Sequence, residues 1–274
     1  MSNLVLNVSH YRKSYGPKLV VPDLSLSVEA GDVFGYIGHN GSGKTTLIRS
    51  IVGAQPMDSG QIEVCGFDVE HQPVECKRRM AYVPDNPDVY DFMTGIQYLN
   101  YVADVFGVES GVRQKRISEY AERLGLAQAL GSMASSYSHG MKQKLVLIGA
   151  FLHDPMLLVL DEPFVGLDPL ASHELKLMMG ETASRGGAVF FSSHVLEVVE
   201  KLCNKVAILK AGELLACGET EAVRGDESLE EVFLGLIEDA SAANTTPAGY
   251  QPAQDAPAAE QPAQKPGFFG KRRG

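Results

Sequence analysis

The chain has no excess of positive charge, no paired cysteines and no apolar run long enough to cross a bilayer. Each absence removes a class of function. The formal net charge is -10, whereas a general nucleic-acid binder presents a basic surface, so no nucleic-acid partner is expected. Cys65, Cys76, Cys203 and Cys217 are scattered, with no C-x-x-C pair. Neither a zinc site nor a disulfide framework is indicated, and reduced thiols suit a cytoplasmic setting. The longest apolar stretches, such as LVLIGAFL at 145–152, fall far short of the ~20 residues that a helical span needs. No basic segment followed by a long apolar run opens the chain, so no signal peptide is expected. Work at a membrane would therefore pass through a separate chain.

What is present suffices for a large core. The 274 residues are 45% hydrophobic, enough for one large α/β domain or two small ones. Near the N-terminus Leu4, Leu6 and Val8, then Leu24, Leu26 and Val28, recur with a period of two, the pattern of half-buried antiparallel strands. The run VFGYIG at 33–38 reads as a buried strand, and TTLIRSIVG at 45–53 as a helix closed by Gly53. From about 90 to 150 the spacing turns helical, over 95–108 and 112–126 in particular, which predicts an inserted helical subdomain. Two buried strands, 156–160 and 188–192, flank a helix at about 170–184. Continuous apolar runs alternating with helices indicate a mostly parallel sheet covered on both faces. A hairpin over 205–218 turns at Ala211-Gly212. Leu229, Val232, Phe233, Leu236 and Ile237 form one helix stripe. The folded domain is expected over 1–238. The Ala/Pro/Gln-rich 239–274 is expected to be a disordered tail, with a basic tip, FFGKRRG, at 268–274. That tip reads as a solvated terminus or as a weak contact with acidic lipid.

Three segments carry chemistry. The first, GHNGSGKT at 38–45, fits the P-loop pattern G-x-x-x-x-G-K-[ST] between a strand and a helix. Gly38, His39, Asn40, Gly41, Ser42 and Gly43 form a loop whose N–H groups can curl around phosphate oxygens. The helix start at Lys44, Thr45 and Thr46 turns its positive end toward the anion. Lys44 would reach the β- and γ-phosphates and Thr45 would ligate Mg²⁺, so the cofactors expected are ATP and Mg²⁺. The second segment, LLVLDEP at 157–163, ends a parallel strand in two carboxylates at the sheet edge where ligands bind. Asp161 would hold the metal, and Glu162 would orient or deprotonate the attacking water. The third, YSHGMKQKL at 137–145, opens a helix at the N-cap residue Ser138.

P-loop, Asp-Glu strand and the 137–145 segment in one chain resemble the ABC ATPase family, whose signature is commonly L-S-G-G-Q. Ser138 and Gly140 match it; Tyr137, His139 and Met141 depart from it, and His139 adds a side chain where the family has none. The resemblance covers residues 1 to about 238. It implies an α/β fold: a P-loop NTPase core with an N-terminal antiparallel β subdomain and an inserted helical subdomain. It also implies an adenine-stacking aromatic at Tyr15, with Tyr11 the rival. Asp168 in VGLDP at 165–169 would be the acid of a loop crossing the dimer seam, and His194 would be a switch histidine at the γ-phosphate. At the position where the family has a glutamine stands Asp85. It reads either as a metal ligand with a sensing role or as a polar residue of the Pro-rich turn YVPDNP.

The resemblance further implies ATP hydrolysis in a head-to-tail dimer, the signature of one subunit closing on ATP held by the other. The partners are then an integral membrane permease and a second ATPase subunit, as in a homodimer, with the chain at the inner face of the cell membrane. The segments 81–99 and 137–144 are similar to bacterial exporter-type cassettes, with import left open. A non-transport ABC ATPase and an ATP-binding switch with little turnover are the alternatives.

Overall fold

The computed structural model describes residues 3–242. In chain order these form β1 (Leu4–Tyr15), β2 (Lys18–Glu29), β3 (Val33–Gly38), α1 (Lys44–Ile51), β4 (Ser59–Val64), β5 (Phe67–Asp68), α2 (Pro73–Arg79) and β6 (Met80–Val83). Then follow α3 (Gly95–Val105), α4 (Ser110–Arg123), short 3-10 turns at Ala127–Ala129 and Ala134–Ser136, and α5 (His139–Phe151). The chain continues through β7 (Leu157–Asp161), α6 (Pro169–Ser184), β8 (Ala188–Ser193), α7 (Leu196–Leu202), β9 (Lys205–Lys210), β10 (Glu213–Glu219), α8 (Thr220–Arg224) and α9 (Leu229–Ala242). None of the described helices is long and apolar enough to cross a membrane.

The larger sheet has the order β10-β9-β3-β8-β7-β6. All its neighbours run parallel except the β9–β10 hairpin at one edge. In β3, β7 and β8 every residue is buried, as a strand covered on both faces requires. The period-two alternation of side chains then divides two cores. Phe34, Tyr36, Val159 and Phe190 point with Leu47 and Ile48 of α1 toward the antiparallel sheet β2-β1-β4-β5. Ile37, Leu158, Leu160 and Phe191 pack instead with α6 and the helical insertion. On β2, Leu24, Leu26 and Val28 are buried while Asp23, Ser25 and Ser27 are exposed, the alternation expected of it.

The insertion starts at a capping box in which Thr94 and Gln97 satisfy each other's backbone N–H groups. Leu99 and Ala103 of α3, Ile117 and Ala121 of α4, and Leu145 and Ile148 of α5 meet in its interior. Arg123 at the end of α4 ties the insertion to α6. Its Nε donates to Glu174 at 3.0 Å and its two terminal nitrogens to Glu181 at 2.9 Å. On the opposite side His153 stacks face to face on Phe106, with ring centroids 3.7 Å apart, and its Nε2–H donates to the Met80 carbonyl. Its Nδ1 is buried without a partner, so a proton there would have no acceptor. Burial lowers the His153 pKa from 6.5. A lowered folded pKa means that the stability the neutral ring supports is present above about 6.5 and is lost as pH falls below it. Thermal unfolding at pH 7.5 and 5.5 is expected to show a drop in Tm for the wild type and a smaller drop for His153→Gln.

One boundary differs from expectation. The composition changes at Asp239, yet α9 runs on to Ala242, because alanine is the best helix former and continues a helix already nucleated. The rest of the expected tail, including the 268–274 tip, lies outside the described residues.

Candidate nucleotide site

The turn after β3 and the start of α1 build the floor of the site. Gly43 sits at φ 104°, a left-handed conformation that a side chain would strain, and α1 begins at Lys44 with no acid in its first turn. The positive helix end is thus uncompensated and open to an anion. The Lys44 ammonium donates to the carbonyl of Gly38 at 2.5 Å and lies 3.9 Å from Glu162 Oε1. Burial lowers its pKa, opposed by the charges of Glu162 and Asp161.

The C-terminal end of β7 supplies the carboxylates. Asp161 is buried; its Oδ1 accepts the Ser192 hydroxyl at 2.5 Å, and its Oδ2 has no hydrogen-bond partner. Glu162 leaves the strand at φ 49°, a rare conformation for a residue with a side chain and one that clusters at functional sites. This turn aims its carboxylate back toward Lys44. Glu162 Oε2 lies 2.8 Å from His194 Nδ1 just after β8, while Oε1 is buried without a hydrogen-bond partner. Ser192 ties Asp161 to Glu162, since its Oγ also accepts the Glu162 backbone N–H at 3.1 Å.

A cavity of about 360 Å³ joins these groups. Tyr15, His39, Asn40, Gly41, Gly43, Lys44, Thr45, Thr46, Asp85, Asp161 and Glu162 all line it. Gly38 and Ser42 lie beneath the loop, buried. Tyr15 is 48% exposed, and its hydroxyl donates to Gln55. The rival Tyr11 is wholly buried beside Ser50, its pKa pushed up to about 12 by burial; it is a core residue and has no access to the cavity. Asp85 is exposed on the cavity wall, its carboxylate accepting the Asn86 N–H. Lys18 and Val20 also line the cavity and were not legible as site residues. Lys18 opens β2 just across the turn from Tyr15, and only strand pairing sets them together. Ser192 was equally missed, because a serine in a buried strand carries no pattern of its own.

Ser138 and Gly140 do not line this cavity. Ser138 caps α5, accepting the Met141 N–H. A Cβ on Gly140 would come within 2.4 Å of the Gly166 carbonyl, and one on Gly166 within 2.7 Å of the His139 ring. The two glycines thus let the start of α5 press on the 165–168 loop, and the bulk of His139 is taken up there. Asp168 caps α6 through the Ala171 N–H and pairs with Lys144 of α5.

The model of the family described as ABC transporter matches residues 21–165. These include the phosphate loop and the Asp161-Glu162 strand and amount to more than half of the chain. The chain belongs to the ABC transporter family. It is 37% identical over 220 residues to an ABC transporter ATP-binding protein of Synechocystis sp., covering 79% of this chain but only 62% of that relative's length. It is 33% identical over 214 residues to the linearmycin resistance ATP-binding protein LnrL of Bacillus subtilis, covering 78% of this chain and 69% of LnrL. A solved structure, that of an ATP binding subunit of an ABC transporter, superposes with a TM-score of 0.82 at 32% identity over 85% of this chain and 99% of the other. The ABC ATPase fold, with its P-loop core, antiparallel β subdomain and helical insertion, is therefore the fold of this chain. ATP is the nucleotide that the family binds.

Proposed function

We propose that this chain is the ATP-hydrolysing subunit of an ABC transporter, acting as a head-to-tail dimer on a separate integral membrane permease at the inner face of the membrane, and that transport runs outward. The observation that carries the reading is the convergence, in one cavity, of Lys44, Thr45, Asp161 and Glu162 with the aromatic Tyr15. Adenine stacks on the Tyr15 ring, and the phosphates lie on the N–H groups of the loop, with Lys44 neutralising their charge. Glu162, held by His194, accepts a proton from the attacking water or orients it. Thr45 and Asp161 fit Mg²⁺, a hard cation that takes oxygen ligands, because the unpartnered Oδ2 of Asp161 is a buried carboxylate oxygen in need of a cation. The metal would supply charge neutralisation at the phosphates. Asp85 is offered as a further oxygen ligand on the same wall.

The separation of Ser138 and Gly140 from the cavity supports a dimer in which the α5 terminus of one subunit faces the ATP of the other. ATP touching both subunits would favour the closed state, and its hydrolysis would release it. Similarity to a linearmycin resistance ATP-binding protein supports the outward direction.

A second cavity supports a docking place for the permease. A groove of about 630 Å³ separates α2 and β6 from α3 and α5, with Lys77 and Arg78 on one wall and Tyr98, Val102, Val105 and Phe106 on the other. Val105 is 63% exposed. The groove fits a short cytoplasmic helix of the permease with an apolar face and an acidic edge. The test is a pull-down from detergent-solubilised membranes of the native cell, using tagged chain carrying Glu162→Gln with Mg-ATP. Recovery of a polytopic membrane protein in stoichiometric yield is expected, and its loss is expected when Val105→Asp is added. Recovery of ribosomes, DNA complexes or only soluble proteins would overturn the transporter reading.

A further inference from the structure

The C-terminal helix α9 reaches the phosphate loop from behind. Its start is fixed twice. Ser228 and Glu231 form a reciprocal cap, the Ser228 Oγ accepting the Glu231 N–H and the Glu231 carboxylate accepting the Ser228 N–H. The Leu229 N–H donates to Glu200 of α7 at 2.9 Å, and the Leu229 side chain is fully buried. One turn further along, on the same face, stands Phe233, only 6% exposed. Its ring meets the His39 ring edge to face, with centroids 5.0 Å apart and planes at 61°. This is the arrangement that aromatic quadrupoles favour. His39 borders two cavities. It lines the nucleotide cavity on one side, and on the other a cleft of about 200 Å³ shared with His194, Glu230, Phe233 and Leu234. His194 lies just before α7, and α7 carries the Glu200 that holds Leu229. One connected path thus runs from His194 through α7 and α9 to the Phe233 ring and back to the loop at His39.

From this geometry we infer that Phe233 is a positioning residue for ATP binding, bracing the His39 side chain so that the phosphate loop is held in its binding shape before the nucleotide arrives. The inference rests on the nucleotide reading of the 360 Å³ cavity. Phe233 lines the far side of the loop and is absent from that cavity's wall, so it acts through His39. A loop that is already ordered loses less conformational freedom on binding. Removing the brace therefore weakens ATP affinity and leaves the chemical step alone, since Lys44, Asp161 and Glu162 keep their own partners.

The test is a double-mutant cycle on the purified full chain, with ATP affinity measured by titration calorimetry at fixed Mg²⁺ and kcat by phosphate release. Phe233→Ala is expected to raise the Kd for ATP by about two- to tenfold, the range of one aromatic pair, with kcat within about twofold. Phe233→Tyr keeps the ring and is expected to restore wild-type affinity. In the His39→Ala background, Phe233→Ala is expected to add almost nothing, because the ring has no partner left to brace. If Phe233→Ala fails to fold, Phe233→Leu replaces it in the same cycle. An equal loss of affinity with and without the His39 ring would overturn the inference, as would an unchanged Kd or a fall confined to kcat. A wild-type chain that binds no ATP would overturn the nucleotide reading and this inference together.

Discussion

Replacing Glu162 with glutamine is expected to cut ATP turnover by about two to four orders of magnitude, the share that a positioned general base supplies, while ATP binding is retained. The amide has the shape of the carboxylate and can still meet His194, so the cavity keeps its form. What it loses is a basic oxygen. In the wild type Glu162 Oε1 is buried with no hydrogen-bond partner, and its nearest cation, Lys44, stands 3.9 Å away. An oxygen so placed is available to a water molecule, which is what the assignment of the base requires. Phosphate release and ATP affinity measured on the same preparation separate the two effects. Turnover equal to the wild type would remove Glu162 from the role of base.

Ser192→Ala is expected to lower turnover by about ten- to a hundredfold. The hydroxyl of Ser192 serves two neighbours at once, donating to Asp161 and accepting from the Glu162 backbone. Without it both oxygens of a buried carboxylate lack a donor, and the N–H of Glu162 lacks its acceptor. A hydrogen bond to a charged group contributes ~1.5–3 kcal/mol, which corresponds to about that range of rate or affinity. The half-saturating Mg²⁺ concentration is expected to rise in the same variant, because Asp161 is no longer held in place. Turnover titrated against Mg²⁺ at saturating ATP reads both changes. A variant with wild-type turnover and wild-type Mg²⁺ dependence would show that β7 alone orients the carboxylates.

Much of this site was legible in the chain itself. The phosphate loop is a contiguous motif whose function resides in backbone N–H groups and one lysine, so GHNGSGKT states its own geometry. Asp161 and Glu162 follow an apolar strand, and strand ends at a parallel sheet are where ligands collect. The positions of β3, β7, β8 and α6 followed from hydrophobic runs and their alternation with helical spacing. Ser138 as an N-cap followed from residue type and place. Less local features were not legible. Tyr11 and Tyr15 both lie on one strand, and sequence alone left them as rivals. A bulge in β1 near His10, which has φ 50°, shifts the alternation and sends Tyr11 into the core. Lys18 and Ser192 join the site only through strand pairing. The extent of α9 was not legible either, since a shift in composition at Asp239 does not stop a helix that alanines can continue to Ala242.

The sequence by itself determined the family, the α/β architecture and most of the residues that line the candidate nucleotide cavity, because each of these depends on short-range patterns: periodicity, a glycine-rich turn, a strand ending in carboxylates. Only the tertiary structure decided which tyrosine faces the cavity, that Ser192 links the Asp161 carboxylate to the Glu162 backbone N–H, that the His139 ring lies over Gly166, and that Phe233 stands behind His39. Each of these depends on segments far apart in the chain, brought together by strand pairing or by helices and loops packing against the sheet, and no local pattern encodes which distant side chain will arrive there.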